Sequence, residues 1–135
     1  MRAIPECKLV KAGQAVESRQ AFTKFPGISA ENSDATALCM HLIVIPPGKR
    51  ARAHLHEGHE STLYVISGRA GMWYGAKLAE HMICEAGDFI FIPAGVPHLP
   101  YNLSETENCV AVAARTDPSE QESVVLLPEL EKLHP

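Results

Sequence analysis

The sequence predicts a small all-β sandwich or barrel, on three observations. Turn-forming residues recur about every ten positions, at Pro46-Pro47-Gly48, Glu57-Gly58, Ser67-Gly68, Gly75 and Ala86-Gly87-Asp88. The segments between them are short, apolar and partly β-branched, as strands are. No 3.6-residue apolar period survives the interruptions, so long helices are not expected.

The elements follow in order. Residues 22–28 read as an edge strand or arm, and 36–45 as an apolar strand closed by Pro46-Pro47-Gly48. A short strand at 52–56 precedes the Glu57-Gly58 turn, and 61–66 ends at Ser67-Gly68. Strands at 70–74 and 80–84 come next, closed by Gly75 and Gly87-Asp88. Residues 89–92 are apolar at every position, the pattern of a strand buried on both faces. Strands at 97–102 and 108–114 complete the set. The chain thus divides into an N-terminal arm of edge strands (1–35), a barrel (36–115) and a tail (116–135). The tail is polar and acidic up to Val124-Val125-Leu126-Leu127. That tetrad needs a cover, either the barrel's outer wall or a second subunit.

Size and composition set limits. A chain of 135 residues forms one domain, long enough to bury about two-thirds of its unfolded surface. With 46% hydrophobic and 21% charged residues and a net charge of −4, it offers no basic stripe to displace counterions from nucleic acid. No apolar run approaches the roughly 20 residues of a membrane span, and the N-terminus lacks the apolar core of a signal peptide. Cys7, Cys39, Cys84 and Cys109 are widely spaced, with no C-x-x-C pair. They are expected to be reduced core-filling thiols, and the expected location is cytoplasmic.

Chemistry concentrates at three histidines. His54 and His56 are two apart in a strand, so they point to one face of the sheet. Two imidazoles on one face make half of a metal site, and His98, arriving from another strand, nearly completes it. His41, His81 and His134 lie outside this pattern and read as structural or solvent-exposed.

The residues around the three histidines resemble the two motifs of the cupin family. The second motif, G-x5-P-x-G-x2-H-x3-N, is matched from Gly87 through Pro93, Gly95 and His98 to Asn102. The first, G-x5-H-x-H-x(3,4)-E-x6-G, is matched at Gly48, His54, His56 and Gly68. The resemblance spans Gly48 to Asn102, roughly two-fifths of the chain. It implies a single-domain cupin β-barrel of the double-stranded jelly-roll type, a homodimer, and one divalent metal ion held by His54, His56 and His98.

The motif glutamate is the point of departure. Counting back seven from Gly68 gives Ser61, whereas Glu60 fits only the count forward from His56. A strand cannot satisfy both without a bulge, because a one-residue slip reverses the face. Anchored on Gly68, Ser61 faces the histidines and Glu60 faces away. In the pirin-type spacing, which this stretch also resembles, a ligand glutamate stands two places after the last histidine; here that place is Pro100. The fourth position is therefore left to Glu60, His59 or water. A site of three histidines is similar to that of the thiol dioxygenases of the same superfamily.

Three neutral imidazoles leave the charge of a divalent iron, manganese, nickel or zinc ion uncancelled, which favours small anionic ligands. Glu60, Asn102 and backbone carbonyls are candidates to orient the rings. Arg52, two residues before His54, either shares its inward face and clamps a substrate carboxylate or is a solvated arginine at the barrel mouth. Ser61 is the second candidate for substrate contact. Tyr64, Trp73, Tyr74 and Tyr101 either line the pocket or pack between sheets or at a dimer contact. The expected function is a mononuclear metal-dependent, oxygenase-like enzyme acting on a small anionic metabolite. The alternatives are a sugar-type isomerase or epimerase using a motif histidine as base, and a non-catalytic small-molecule-binding protein.

Overall fold

In the computed structural model, which describes residues 4–18, 20–119 and 123–134, the turn-bounded segments form antiparallel strands. They are β1 (Val16–Glu17), β2 (Thr23–Ile28), β3 (Cys39–Ile45), β4 (His54–His56), β5 (Ser61–Ser67) and β6 (Arg69–Tyr74). β7 (Glu80–Glu85), β8 (Phe89–Ile92), β9 (His98–Asn102), β10 (Cys109–Arg115) and β11 (Val124–Leu126) follow. Two single-turn helices, α1 (Ala30–Ser33) and α2 (Pro128–Glu131), flank them. The strands make a six-stranded sheet in the order β1-β2-β3-β10-β5-β8 and a five-stranded sheet in the order β11-β4-β9-β6-β7. The all-β jelly-roll expectation is met by two sheets face to face; the described strands do not close into one continuous ladder.

Alternation places the core between the sheets. In β3, Cys39, His41, Ile43 and Ile45 are buried while Met40 is exposed. In β10, Cys109, Ala111, Ala113 and Arg115 are buried on the same face. Phe22, Ile43, Ile45, Val65, Ala70 and Ala111 belong to the resulting apolar cluster.

The outer face of the five-stranded sheet has a cover of its own. β11 pairs with β4, setting Val124 opposite His56 and Leu126 opposite His54. Leu127 and Leu130 then pack on the buried Ala53, Leu78 and Leu99 beside Trp73, and His134 stacks on the Trp73 ring at 3.9 Å. β4 is only three residues long, yet it is paired with β9 on one side and β11 on the other.

Two expectations are corrected. The strand at 89–92 is not buried on both faces: Phe89 is 79% and Phe91 58% exposed. β8 is the edge of its sheet, and its outer face has no second layer above it among the described residues. Cys7 is exposed rather than a core filler, whereas Cys39, Cys84 and Cys109 are buried thiols outside any disulfide. No described helix is long and apolar enough to cross a membrane.

Gly68 turns the chain from β5 into β6 with φ +85°, and a Cβ there would stand 2.5 Å from the Asn108 carbonyl oxygen and 2.8 Å from the Cys109 Cα. Both obstacles are backbone. Gly68→Ala is therefore expected to lower unfolding free energy by about 1–3 kcal/mol. A urea titration checks this; an unchanged midpoint would show that the loop before β10 gives way freely.

Candidate metal centre

His54 and His98 are direct partners across the β4–β9 ladder, and His56 follows His54 by two along β4. Strand alternation then puts all three on the inner face. Each is buried, at 1–2% exposure. The ring centroids are 5.2 Å apart for His54–His56, 4.1 Å for His54–His98 and 5.7 Å for His56–His98. The two motifs are tied together by backbone, since the Gly95 N–H donates to the His56 carbonyl at 2.9 Å.

Backbone acceptors orient two of the rings. His54 Nδ1 lies 2.6 Å from the Arg52 carbonyl oxygen, and His98 Nδ1 lies 3.0 Å from that of Val96. A carbonyl oxygen only accepts, so in both rings Nδ1 carries the proton and Nε2 keeps its lone pair. His56 has both ring nitrogens buried without a hydrogen-bond partner. Such an orphan costs about 1–3 kcal/mol, a cost that an ion taking the lone pair removes. One ring nitrogen from each histidine lies within 4.8 Å of the others. That spacing would let the three side chains share one ion. Orphaned nitrogens, fixed tautomers and spacing together fit a divalent ion. Among the described residues, this is the one group of three or more histidine, cysteine or acidic side chains so arranged.

Electrostatics agree. Burial, then Arg115, pushes the His56 pKa down to about 2. Burial likewise lowers His98 to about 4 against the opposing hydrogen bond to the Val96 carbonyl. His54 is held well below the ordinary imidazole range by burial and by His98. Neutral imidazole is the ligating form.

The other candidates are distributed differently. Ser61 is buried at 2% with its Oγ unpartnered, facing inward as the count from Gly68 requires. Glu60 is exposed; its backbone N–H donates to Thr116 Oγ1 at 3.0 Å, and its carboxylate is not in the histidine group. His59 is engaged elsewhere, donating from Nδ1 to the Thr116 carbonyl at 3.1 Å and standing 3.7 Å from Asp117. Arg52 does not reach the interior: its side chain is 46% exposed and lies 3.6 Å from Glu131. The two-residue count fails there because β4 begins at His54, and alternation holds only within the ladder. Asn102 orients no histidine; its Nδ2 donates to the Ile45 and Glu107 carbonyls at 2.9 and 2.7 Å.

The aromatic candidates also separate. Tyr64 is exposed, and Tyr101 donates or accepts a 2.7 Å bond with His81 on the outer surface. Tyr74 is the ladder partner of His98 and shares its face. His41, outside the motifs, is buried, and its Nδ1 accepts from the Gly27 N–H at 3.1 Å.

Between the sheets, a cavity of about 50 Å³ is lined by His54, His98 and Arg115 together with apolar side chains such as Ile43, Val65 and Met72. Arg115 is the residue that sequence reasoning missed. It is 4% exposed, projects from the six-stranded sheet, and stands opposite Ser61 in the β10–β5 register. The available signal was the alternation of Cys109, Ala111 and Ala113, which continued by two reaches position 115.

The family model described as cupin domain matches residues 41–114. Among curated proteins no relative matches the chain. Among solved structures, the Lactobacillus farciminis oxalate decarboxylase formate complex superposes with TM-score 0.72 at 22% identity, covering 90% of this chain and 36% of that one. An S161A mutant of Bacillus subtilis oxalate decarboxylase gives 0.71 at 21% identity, covering 91% and 32%. An uncharacterized conserved protein with a double-stranded beta-helix domain from Klebsiella pneumoniae gives 0.65 at 19% identity, covering 81% and 86%. The chain thus spans about a third of the length of these oxalate decarboxylases. At such identities the likeness is one of fold.

Proposed function

This chain belongs to the cupin domain family, and from that premise we propose that it is a mononuclear metal-dependent enzyme, oxygenase-like in its chemistry, acting on a small anionic metabolite. The observation that carries this reading is the pair of backbone hydrogen bonds on His54 and His98 Nδ1, which leave Nε2 of each ring a lone pair for an ion. His54, His56 and His98 are the residues that would hold it. Bound there, a divalent iron, manganese, nickel or zinc ion supplies Lewis acidity and, for iron, one-electron chemistry with dioxygen.

The chain's own residues do the rest. Three uncharged rings cancel none of a dication's charge, so the site draws an anionic ligand. Ile43, Val65 and Met72 along the cavity exclude water and strengthen each polar contact inside. The cavity's small volume favours a small ligand. The test is elemental analysis of untagged protein, with close to one divalent ion per chain expected. Iron-loaded protein is then expected to consume oxygen with members of a panel of small carboxylic acids and thiols. Metal far below one equivalent after incubation with excess ion would overturn the metal reading. Flat oxygen traces across the panel would remove the oxygenase part and favour an isomerase or a binding protein.

We also propose that the chain is a homodimer joined through the outer face of the six-stranded sheet. Leu38, Met40, Tyr64, Ile66, Phe89 and Phe91 are all exposed there, and Tyr64 and Phe89 already touch at 4.8 Å. An uncharged apolar face of this kind is self-complementary in an isologous contact. Light scattering on the eluting protein is expected to give twice the 14.7 kDa chain mass. Phe89→Lys with Phe91→Lys is expected to give the single-chain mass with an unchanged far-ultraviolet spectrum. A wild-type monomer at tens of micromolar would refute the dimer.

A further inference from the structure

Arg115 occupies a position that the metal reading leaves unexplained. A guanidinium is among the costliest groups to bury, yet this one is 4% exposed and lines the cavity together with His54 and His98. It sits on the inner face of the six-stranded sheet, whereas the three histidines sit on the inner face of the five-stranded sheet. A ligand between the sheets therefore meets imidazoles on one side and a fixed cation on the other. Arg115 also lines an external depression with Glu60, Ser61, Phe91 and Thr116, so it stands where the interior meets the surface.

We propose that Arg115 is the specificity-determining residue of the pocket, receiving one carboxylate of a small organic acid whose other polar end faces His54, His56 and His98. The proposal rests on the metal-site reading for that second end, but not for the first. The planar fork has five N–H donors, enough to keep its contacts within the protein and still hold a carboxylate through two parallel bonds. A neutral ligand of the same shape forgoes the charge-assisted part, so selection for an acid over its amide follows.

The test titrates malonate, with malonamide as the uncharged probe, into the full-length chain by calorimetry, both zinc-loaded and metal-free. Wild type, Arg115→Gln and Arg115→Lys are compared. Wild type is expected to bind malonate and to ignore malonamide. Arg115→Gln should weaken malonate at least tenfold with zinc stoichiometry unchanged, and Arg115→Lys should recover part of that loss. If the glutamine variant fails to fold by circular dichroism, Arg115→Lys carries the comparison alone, and malonate binding as tight as wild type overturns the assignment. Malonate affinity within twofold of wild type in a folded Arg115→Gln, equal binding of malonamide, or no malonate binding by wild type overturns it as well. Failure of the metal reading would appear separately as no zinc uptake, while the metal-free titrations still report on Arg115.

Discussion

His98→Ala is expected to abolish stoichiometric binding of a divalent ion, weakening zinc affinity by more than the 10–100-fold typical of losing a mere orienting partner. The reason lies in where the three rings come from. His54 and His56 share β4, and His98 comes from β9. Without His98, two imidazoles remain on one strand and nothing crosses the ladder to close the site. Calorimetric titration with zinc measures the loss directly. Linked stability gives a second reading: zinc at one hundred times its Kd is expected to raise wild-type unfolding free energy by about 2.7 kcal/mol, and His98→Ala by almost nothing. A His98→Ala chain that binds zinc as tightly as wild type, or gains the same stability from it, would place the ion somewhere other than this triad.

The histidine cluster was legible because its geometry is local. A two-residue spacing decides the face of His54 and His56, and the Gly95-Val96-Pro97 turn brings His98 to the same ladder over a short loop. The backbone partners on Nδ1 follow a similar rule, each lying two residues before its histidine. What escaped depended on long-range pairing. Arg115 lies on the opposite sheet from His54, and only the pairing of β10 between β3 and β5 turns it toward them. Of the two readings open for Arg52, the solvated one holds for the converse reason: spacing does not carry past the end of a three-residue strand. Phe89 and Phe91 show the third kind of failure. A run of four apolar residues has no alternation to read, so whether one face is open depends on the strand's place at the sheet edge, which sequence period does not carry.

Acid is expected to destabilise the metal-free protein well above the carboxylate range. His98 is depressed to about 4 and His56 to about 2, both chiefly by burial, and His54 moves in the same direction. Unfolded, each of these imidazoles titrates near 6.5. Above pH 6.5 neither state binds the proton, and the full stability is present. As pH falls from 6.5 toward 4, the unfolded chain takes up protons that the folded core refuses, so unfolding gains ground at each step. His98 alone contributes a loss on the order of 3 kcal/mol once pH reaches its folded value. Urea midpoints of chelator-treated protein between pH 7.5 and 4.5 measure the slope. His98→Asn, which cannot take up this proton, is expected to flatten it by the His98 share. A wild-type midpoint that stays level across that interval would mean that the imidazoles protonate freely in the folded state, and hence that water reaches the space between the sheets. In that case the weak hydration assigned to the pocket, and with it the strength of any anion contact made there, would have to be given up.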